Sequence, residues 1–217
     1  MTQYVSQKEL IIVYGASGHA KVVLDIIERA GSYSIEFLAD DNRSLKGEVM
    51  YGYKVIGGKD DILSIAIRKA VVAIGSNRAR AAVMTWLGDK GFAFVTAIHP
   101  TAAVARGARV GVGTVLMAGS VVNSDAVVGD HVIINTGATI DHDCKIGNFV
   151  HIAPGSTLCG SVTVGDGSFI CAGATVIPNV KIGSNVIVAA GATVITDVED
   201  SATVIGTPAR PLKREVR

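Results

Sequence analysis

No apolar run in these 217 residues approaches the roughly 20 residues that a membrane-spanning helix needs, so no membrane partner is expected. The opening residues, MTQYVSQKEL, lack the charged-then-apolar layout of an export signal, which sets the expectation of a cytoplasmic chain. Charge of one sign is missing too. Against 20 Lys and Arg stand 19 Asp and Glu, a net charge of +1, and basic residues gather only at Arg210, Lys213, Arg214 and Arg217. Nucleic-acid surfaces need a stronger basic bias, so no nucleic-acid partner is expected. There are only 3 cysteines, Cys144, Cys159 and Cys171, and they show neither Cys-x-x-Cys nor Cys/His ligand spacing. They read as small packing residues rather than disulfide partners or metal ligands, and no metal is expected.

What is present is a repeat. From Val104 to Val194 every sixth residue is Val, Leu or Ile, and four residues after each stands a small or β-branched one, such as Ala108, Thr114, Ser120, Cys144 or Ala192. A period of six suits neither a helix nor an alternating strand; it demands short strands joined by repeated corners, a β-solenoid. Gly recurs at 111, 129, 147, 165 and 183, so one coil holds three hexads and is a triangular prism. The aliphatic residues fill its axis, and the glycines are expected to supply corner geometry that a Cβ would obstruct. Spacing alone leaves the hand of the coil open.

Residues 1–97 form a different unit, and 98–217 hold the prism with a short tail. Leu10 to Tyr14 reads as a buried strand, and Gly15-Ala16-Ser17-Gly18-His19 turns into a helix with Val22, Val23, Ile26 and Ile27 on one face. Strands follow at Ile35 to Ala39 and Ala70 to Ile74, with a helix from Arg78 to Lys90. Alternating β and α implies a small Rossmann-like parallel sheet. Ligands bind beyond the carboxyl ends of such strands. Those ends are the Gly15 to His19 turn, Asp40-Asp41 and Gly75-Ser76-Asn77. The turn's amides suit a phosphate and the aspartates suit ribose or base N–H groups, while a tight turn without any ligand has the same signature. A nicotinamide site is the sharpest competitor, but so small a unit offers one mononucleotide half, which fits a nucleotide sugar better than a dinucleotide.

Specific stretches carry a resemblance: I-I-V-Y-G-A-S-G-H-A-K-V-V-L-D, F-L-A-D-D at 37–41, I-H-P-T at 98–101, N-T-G-A-T-I-D-H-D-C at 135–144 and G-T-P-A-R at 206–210. Over nearly the whole length the chain resembles the hexapeptide-repeat acetyltransferases of bacterial surface-glycan biosynthesis. These include the UDP-4-amino-4,6-dideoxy-sugar N-acetyltransferases, the GDP-perosamine N-acetyltransferases and the sialic acid O-acetyltransferases. The resemblance implies a left-handed parallel β-helix and a homotrimer with active sites between subunits. Acetyl-CoA would lie along the prism near Gly160, Ala172 and Ala190. The nucleotide sugar would sit against Gly15, Ser17, Gly18, His19, Asp40, Asp41, Gly75 and Asn77. His142 matches the catalytic histidine, with Asp143 as the acid beside it, Asn135 as a polar neighbour and His151 as a second histidine.

That assignment is chemically sound. Attack of a sugar amine on a thioester releases a proton, imidazole accepts protons near neutral pH, and a carboxylate beside it fixes the tautomer. Asp141 and Asp143 both flank His142, and adjacent residues point differently, so one of them is expected to orient it. Attack is expected to be direct, with no acyl-enzyme. At eighteen residues per coil, Ser124, His142, Gly160 and Pro178 share a column, and Gly160 is expected to leave room for the thioester. Among the other histidines, His131 reads as a solvated corner residue, His99 as a local hydrogen-bonder, and His19 as a helix cap or a ligand for the sugar. Arg210 is expected to meet a CoA phosphate. Two other classes fit parts of the chain: a prism holding a three-histidine zinc site, and a non-catalytic scaffold that binds a nucleotide sugar.

Overall fold

The computed structural model of the protein describes residues 8–212; Lys213, Arg214 and Arg217 of the basic group, and the first seven residues, lie outside it. The first unit runs β1 (Glu9–Tyr14), α1 (Gly18–Ala30), β2 (Tyr33–Ala39), a hairpin of β3 (Val49–Met50) and β4 (Tyr53–Lys54), α2 (Lys59–Leu63), β5 (Lys69–Val72), α3 (Asn77–Asp89) and β6 (Ala93–Phe94). The sheet has order β2-β1-β5-β6, all parallel. The hairpin and β6 are too short to carry a readable period. Helix α1 forms because Ala20, Val23, Leu24, Ile26 and Ile27 recur at helical spacing and are buried, and it stops at Gly31, which takes a left-handed φ of 69°. Val22, expected on that face, is 39% exposed: at this register Ala20 and Leu24 complete the stripe instead.

The solenoid follows as two-residue strands in three parallel sheets. In each, a residue pairs with the one eighteen positions on, as Val115 with Ile133 and then His151, or Thr139 with Thr157 and then Thr175. The sixfold pattern starts one step earlier than its Val104 signature, because Ala97–Ile98 already pairs with Val115–Leu116. Leu116, Val122, Ile134, Ile140, Ile152, Leu158, Ile170, Val176 and Val188 fill the axis with no measurable exposure. Each such side chain contributes about 1.5–3 kcal/mol relative to an exposed one. The final coil is two residues shorter, since Ile187 pairs with Thr203, and Arg210–Pro211 folds back antiparallel on Thr203–Ile205 to cap that end.

The corners revise the role given to the repeating glycines. The left-handed backbone position lies three residues after each axial aliphatic one, filled by Gly at 107, 119, 137, 155 and 173, but also by Asp125, His131, Asp143, Phe149 and Asn179. Gly111, Gly129, Gly147, Gly165 and Gly183 keep ordinary φ. They are small because the next coil presses on them: a Cβ on Gly111 would stand 2.4 Å from both Gly129 O and Asp130 Oδ1. That pressure comes from a side-chain ladder up the same corner. Asp130 Oδ1 accepts from the Val112 amide at 2.8 Å, Asn148 Oδ1 from Asp130 at 2.8 Å, and Asp166 Oδ1 from Asn148 at 2.7 Å. Each bond satisfies a corner amide that strand pairing leaves free.

The two units are joined tightly. Val115, Met117 and Ile133 on the outer face of one prism sheet share a buried cluster with Val23, Leu24 and Ile27 of α1. Asn77 Nδ2 donates to Gly167 O and Ser168 O at 2.9 and 3.1 Å. The carboxyl ends of β1 and β5 thereby come up against the prism, His19 facing His151 and Gly75 O facing its Nδ1.

Candidate active site

The expected residues fall into three groups. The first is the corner at His142. Asp143, in the left-handed conformation that Asp tolerates, turns its carboxylate back so that Oδ2 lies 2.8 Å from His142 Nδ1. Nδ1 therefore carries the proton, and Nε2, unpartnered among the described residues, is the basic atom. Asp141 does not touch the ring. Its Oδ1 accepts from the His142 backbone amide at 2.8 Å and from Asn123 Nδ2, one coil below, at 3.0 Å, which fixes the corner. The hydrogen bond to Asp143 and the charge of Asp141 together raise the imidazole's pKa above its ordinary value. Asn123 was not legible beforehand, since a polar residue on an outer face has no periodic signal.

Gly160 does lie beside His142, but the space it leaves is not empty. A Cβ there would stand 2.6 Å from both Cε1 and Nε2 of the imidazole. The missing side chain makes room for the His142 ring itself. Ala172 and Ala190 are exposed and stack one coil apart on a different corner, the one following the sheet that holds His151.

The second group lies where the two units meet. His151 is 8% exposed, with Nδ1 3.2 Å from Gly75 O, Nε2 3.1 Å from Asn135 Nδ2, and its ring stacked on Phe169 at 4.8 Å. The His19 ring centroid is 6.4 Å away, and its Nε2 is buried without a partner among the described residues. Burial, reinforced by the charge of Arg80, drives both imidazoles down to about 4. Asn135, expected beside His142, is thus hydrogen-bonded to His151. Within one chain the four residues His142, Asp143, Asn135 and His151 form two separate pairs. A cleft of about 710 Å³ opens next to this group, lined by Asn77, Arg78, Phe149, Phe169 and Ile187 among others.

The third group is the strand-end pocket, more tightly tied than expected. Asp40 Oδ2 accepts from the Ala16 amide and Oδ1 from Asn42, both at 2.8 Å. Asp40 therefore braces the turn. Asp41 Oδ1 takes the Tyr14 hydroxyl at 2.6 Å and the Lys59 amide at 3.3 Å, and its Oδ2 accepts nothing among the described residues. Burial and Asp41 together keep the Tyr14 phenol protonated. Ser17 starts α1 without a side-chain cap and with no acid in the first turn, so the helix presents bare amides toward the pocket. His19 does not cap the helix; it sits within α1.

Other expectations resolve plainly. His99 makes its local bond, accepting from the Thr101 amide at 3.0 Å through Nδ1. His131 is no solvated corner. Its ring stacks on Phe149 at 5.0 Å and meets Phe94 edge-on at 4.9 Å, because β6 brings an aromatic side chain against it. Arg210 is exposed and donates to Ala209 O, the carbonyl preceding it, at 2.8 Å. Cys144 is buried and Cys159 and Cys171 are half-buried, as free thiols. Among the described residues no helix is long and apolar enough to cross a membrane.

Comparison with known proteins adds the family. The PglD N-terminal domain family matches residues 10–87, and the bacterial transferase hexapeptide repeat matches 125–160, 143–177 and 161–196. No curated sequence matches the chain. A solved structure of PerB from Caulobacter crescentus, in complex with CoA and GDP-perosamine, is 38% identical with a TM-score of 0.89, over 94% of this chain and 97% of that one. The acetyltransferase domain of PglB from Neisseria gonorrhoeae, in complex with acetyl coenzyme A, is 38% identical at a TM-score of 0.88, over 95% and 100% of the two chains. The chain belongs to the hexapeptide-repeat sugar acetyltransferases. WeeI from Acinetobacter baumannii, 27% identical over 94% of this chain and 100% of its own, has the same fold at a TM-score of 0.87. The prism of this family member is accordingly a left-handed parallel β-helix.

Proposed function

We propose that this acetyltransferase moves acetyl from acetyl-CoA to the amino group of a nucleotide-activated amino-deoxy sugar of the UDP-4-amino-4,6-dideoxy type, in surface-glycan biosynthesis. Residues 1–97 hold the acceptor and 98–217 carry the transfer. The observation that carries this reading is His142: exposed, oriented through Nδ1 by Asp143, with Nε2 open at a corner flanked by Gly160. Nε2 takes the proton as the sugar nitrogen attacks the thioester carbonyl. Asp143 stabilises the imidazolium that forms, and CoA leaves as the thiol.

The site is completed by a second subunit of a homotrimer. One chain carries His142 and Gly160 on one corner, and Asn135, His151, Ala172 and Ala190 on another face and corner, so neither set is complete alone. A groove between adjacent prisms joins the two sets around acetyl-CoA. The cleft beside His151 then presents the sugar, and the α1 amides near Gly15, Ser17 and Gly18 hold the diphosphate.

The uridine form is supported by the aspartates. Three of their four oxygens already accept hydrogen bonds, and Asp41 Oδ2, which accepts none among the described residues, is the oxygen most open to a base N–H. Uracil offers a single imide N–H, whereas guanine presents two donors side by side. The GDP-perosamine complex of PerB is the observation that favours a GDP-perosamine acceptor instead, and a sialic acid or other sugar hydroxyl is served by the same base. Both proposed substrates are cytoplasmic metabolites, and the reaction belongs there.

Thiol release from acetyl-CoA, measured with UDP-4-amino-4,6-dideoxy sugar, GDP-perosamine and free sialic acid for wild type and His142→Ala, tests the reading. Release with the UDP amino sugar that disappears in the variant is expected. Release with GDP-perosamine or sialic acid alone reassigns the acceptor. Binding without release on any of them makes the chain a sugar-nucleotide scaffold.

A further inference from the structure

Arg80 has no part in the chemistry above, yet it is the largest fully buried side chain, 1% exposed, at the seam between the two units. Its Nε donates to His131 O at 2.9 Å, Nη1 to Ile74 O and Gly75 O at 3.2 Å each, and Nη2 to Asn77 Oδ1 and Phe149 O at 2.9 Å. Among the described residues no carboxylate pairs with it. Burial lowers its pKa to about 10, which leaves it charged at neutral pH. An enclosed cation held by neutral acceptors is a costly way to hold two units together, and an apolar contact of equal volume does so without the desolvation penalty.

The Gly75 carbonyl is shared, accepting from Arg80 and facing His151 Nδ1 at the same distance of 3.2 Å. A carbonyl only accepts, so Nδ1 carries a proton. On the other side, Asn135 Oδ1 accepts from the Thr136 amide at 2.8 Å, so the Nδ2 amide donates to His151 Nε2. Both ring nitrogens are thereby assigned, and the ring is neutral. The groups facing it are His19 from α1, Arg80 from α3, and uncharged Asn135 and Phe169 from the prism.

We propose that Arg80 is a positioning residue: by clamping the Gly75 carbonyl to two coils of the prism, it holds His151 as a fixed, uncharged Nδ1–H imidazole directly behind Gly75 and Phe169, which line the acceptor cleft. This rests on the reading that the cleft holds the acceptor. The nearby guanidinium also opposes a second proton on the ring. His151 then supports the cleft through Gly75 and Phe169 and has no lone pair free to act as a base, so proton removal falls to His142 alone. Lys cannot replace Arg80, because a single ammonium cannot reach acceptors spread along the planar fork.

Long-range 15N–1H spectra of histidine-labelled protein test the clamp without recourse to activity. The wild type is expected to show His151 in the Nδ1–H form, unchanged from pH 8 to pH 5. In Arg80→Gln the resonances move toward mixed tautomers and titration begins at higher pH. With the amino-sugar nucleotide, kcat/KM falls about tenfold or more, while KM for acetyl-CoA changes less than threefold. Arg80→Lys keeps His151 uncharged but does not restore the single tautomer. Asn135→Leu releases Nε2 without touching the seam, so it is expected to loosen the tautomer even where an Arg80 variant fails to fold. An Nε2–H form in the wild type, titration near 6.5, or a folded Arg80→Gln with unchanged spectra and kinetics would overturn the clamp. The expected spectra with no transfer to any nucleotide sugar would keep the clamp and sink the acceptor reading.

Discussion

His142 and His151 stand nine residues apart on the same prism, and their surroundings drive them in opposite directions. His142 projects from a corner into water, 59% exposed, with one carboxylate on its Nδ1 and a second beside its backbone, and its proton affinity rises. His151 is enclosed against the first unit, with a carbonyl, an amide and an aromatic ring for neighbours and a cation behind them, and its proton affinity falls. The repeat places both side chains on regular positions of the coil. What each can do depends on the partner that the rest of the chain supplies: two acids from its own corner for one, the β5 end and α3 for the other. Titratable groups whose environments push them apart in this way mark a division of labour.

Removing the proposed base is expected to have the largest effect. His142→Ala is expected to lower kcat for acetyl transfer by about 10²- to 10⁴-fold while binding of the nucleotide sugar, followed by calorimetry, stays unchanged. Equal loss of binding would show that the corner is not a separate catalytic group. Next comes Asp143→Asn, expected to cost about 10²-fold in kcat by releasing the tautomer. Because Asp143 raises the imidazole's pKa, its loss lowers it, and the acidic limb of the kcat/KM profile moves to lower pH. A limb that stays in place assigns the raised affinity to Asp141.

Gly160→Ala sharpens the comparison at closer range. The new methyl meets the His142 ring, and the ring, being exposed, swings aside instead of unfolding the coil. A roughly tenfold drop in kcat is expected, with KM for acetyl-CoA and Tm little changed. A raised KM with unchanged kcat would return Gly160 to a cofactor contact.

The smallest effect concerns the buried pair. His19 and His151 bind protons more weakly folded than unfolded. The stability they contribute is whole above the unfolded value near 6.5 and is lost as pH falls toward about 4, on the order of 3 kcal/mol per ring at the limit. Tm measured from pH 7 to pH 4 is expected to fall more steeply in wild type than in His151→Gln. Parallel curves would mean that His151 stays neutral in both states or is already charged.

Much of the prism was open to reading in the chain itself. Sixfold spacing of Val, Leu and Ile names the axial residues, and eighteen-residue spacing of Gly names the coil. The reason for that glycine was not readable, because Gly111 is small on account of Asp130 in the next coil, a neighbour that only stacking supplies. His142 and Asp143 were legible as a pair because their contact is local, one residue apart. The partner given to Asn135 was wrong in one chain, since sequence proximity to His142 hid its distance along the prism surface from that corner. Tyr14 and Arg80 were missed altogether. A Tyr closing an apolar strand and an Arg inside a helix look like ordinary members of their elements, until Asp41 and the prism carbonyls are brought to them.

The prism, its coil length, the βα order of the first unit and the acid beside His142 could all be read from residue order alone. These rest on spacings of one to eighteen residues, where periodicity and covalent geometry leave few choices. What surrounds His19, His151 and Asp41 came only with the folded chain. Their environments are made by residues far away along the chain, His151 meeting Gly75 from 76 positions off and His19 from farther still, and burial, which sets the proton affinity of an imidazole, exists only once both units have closed on it.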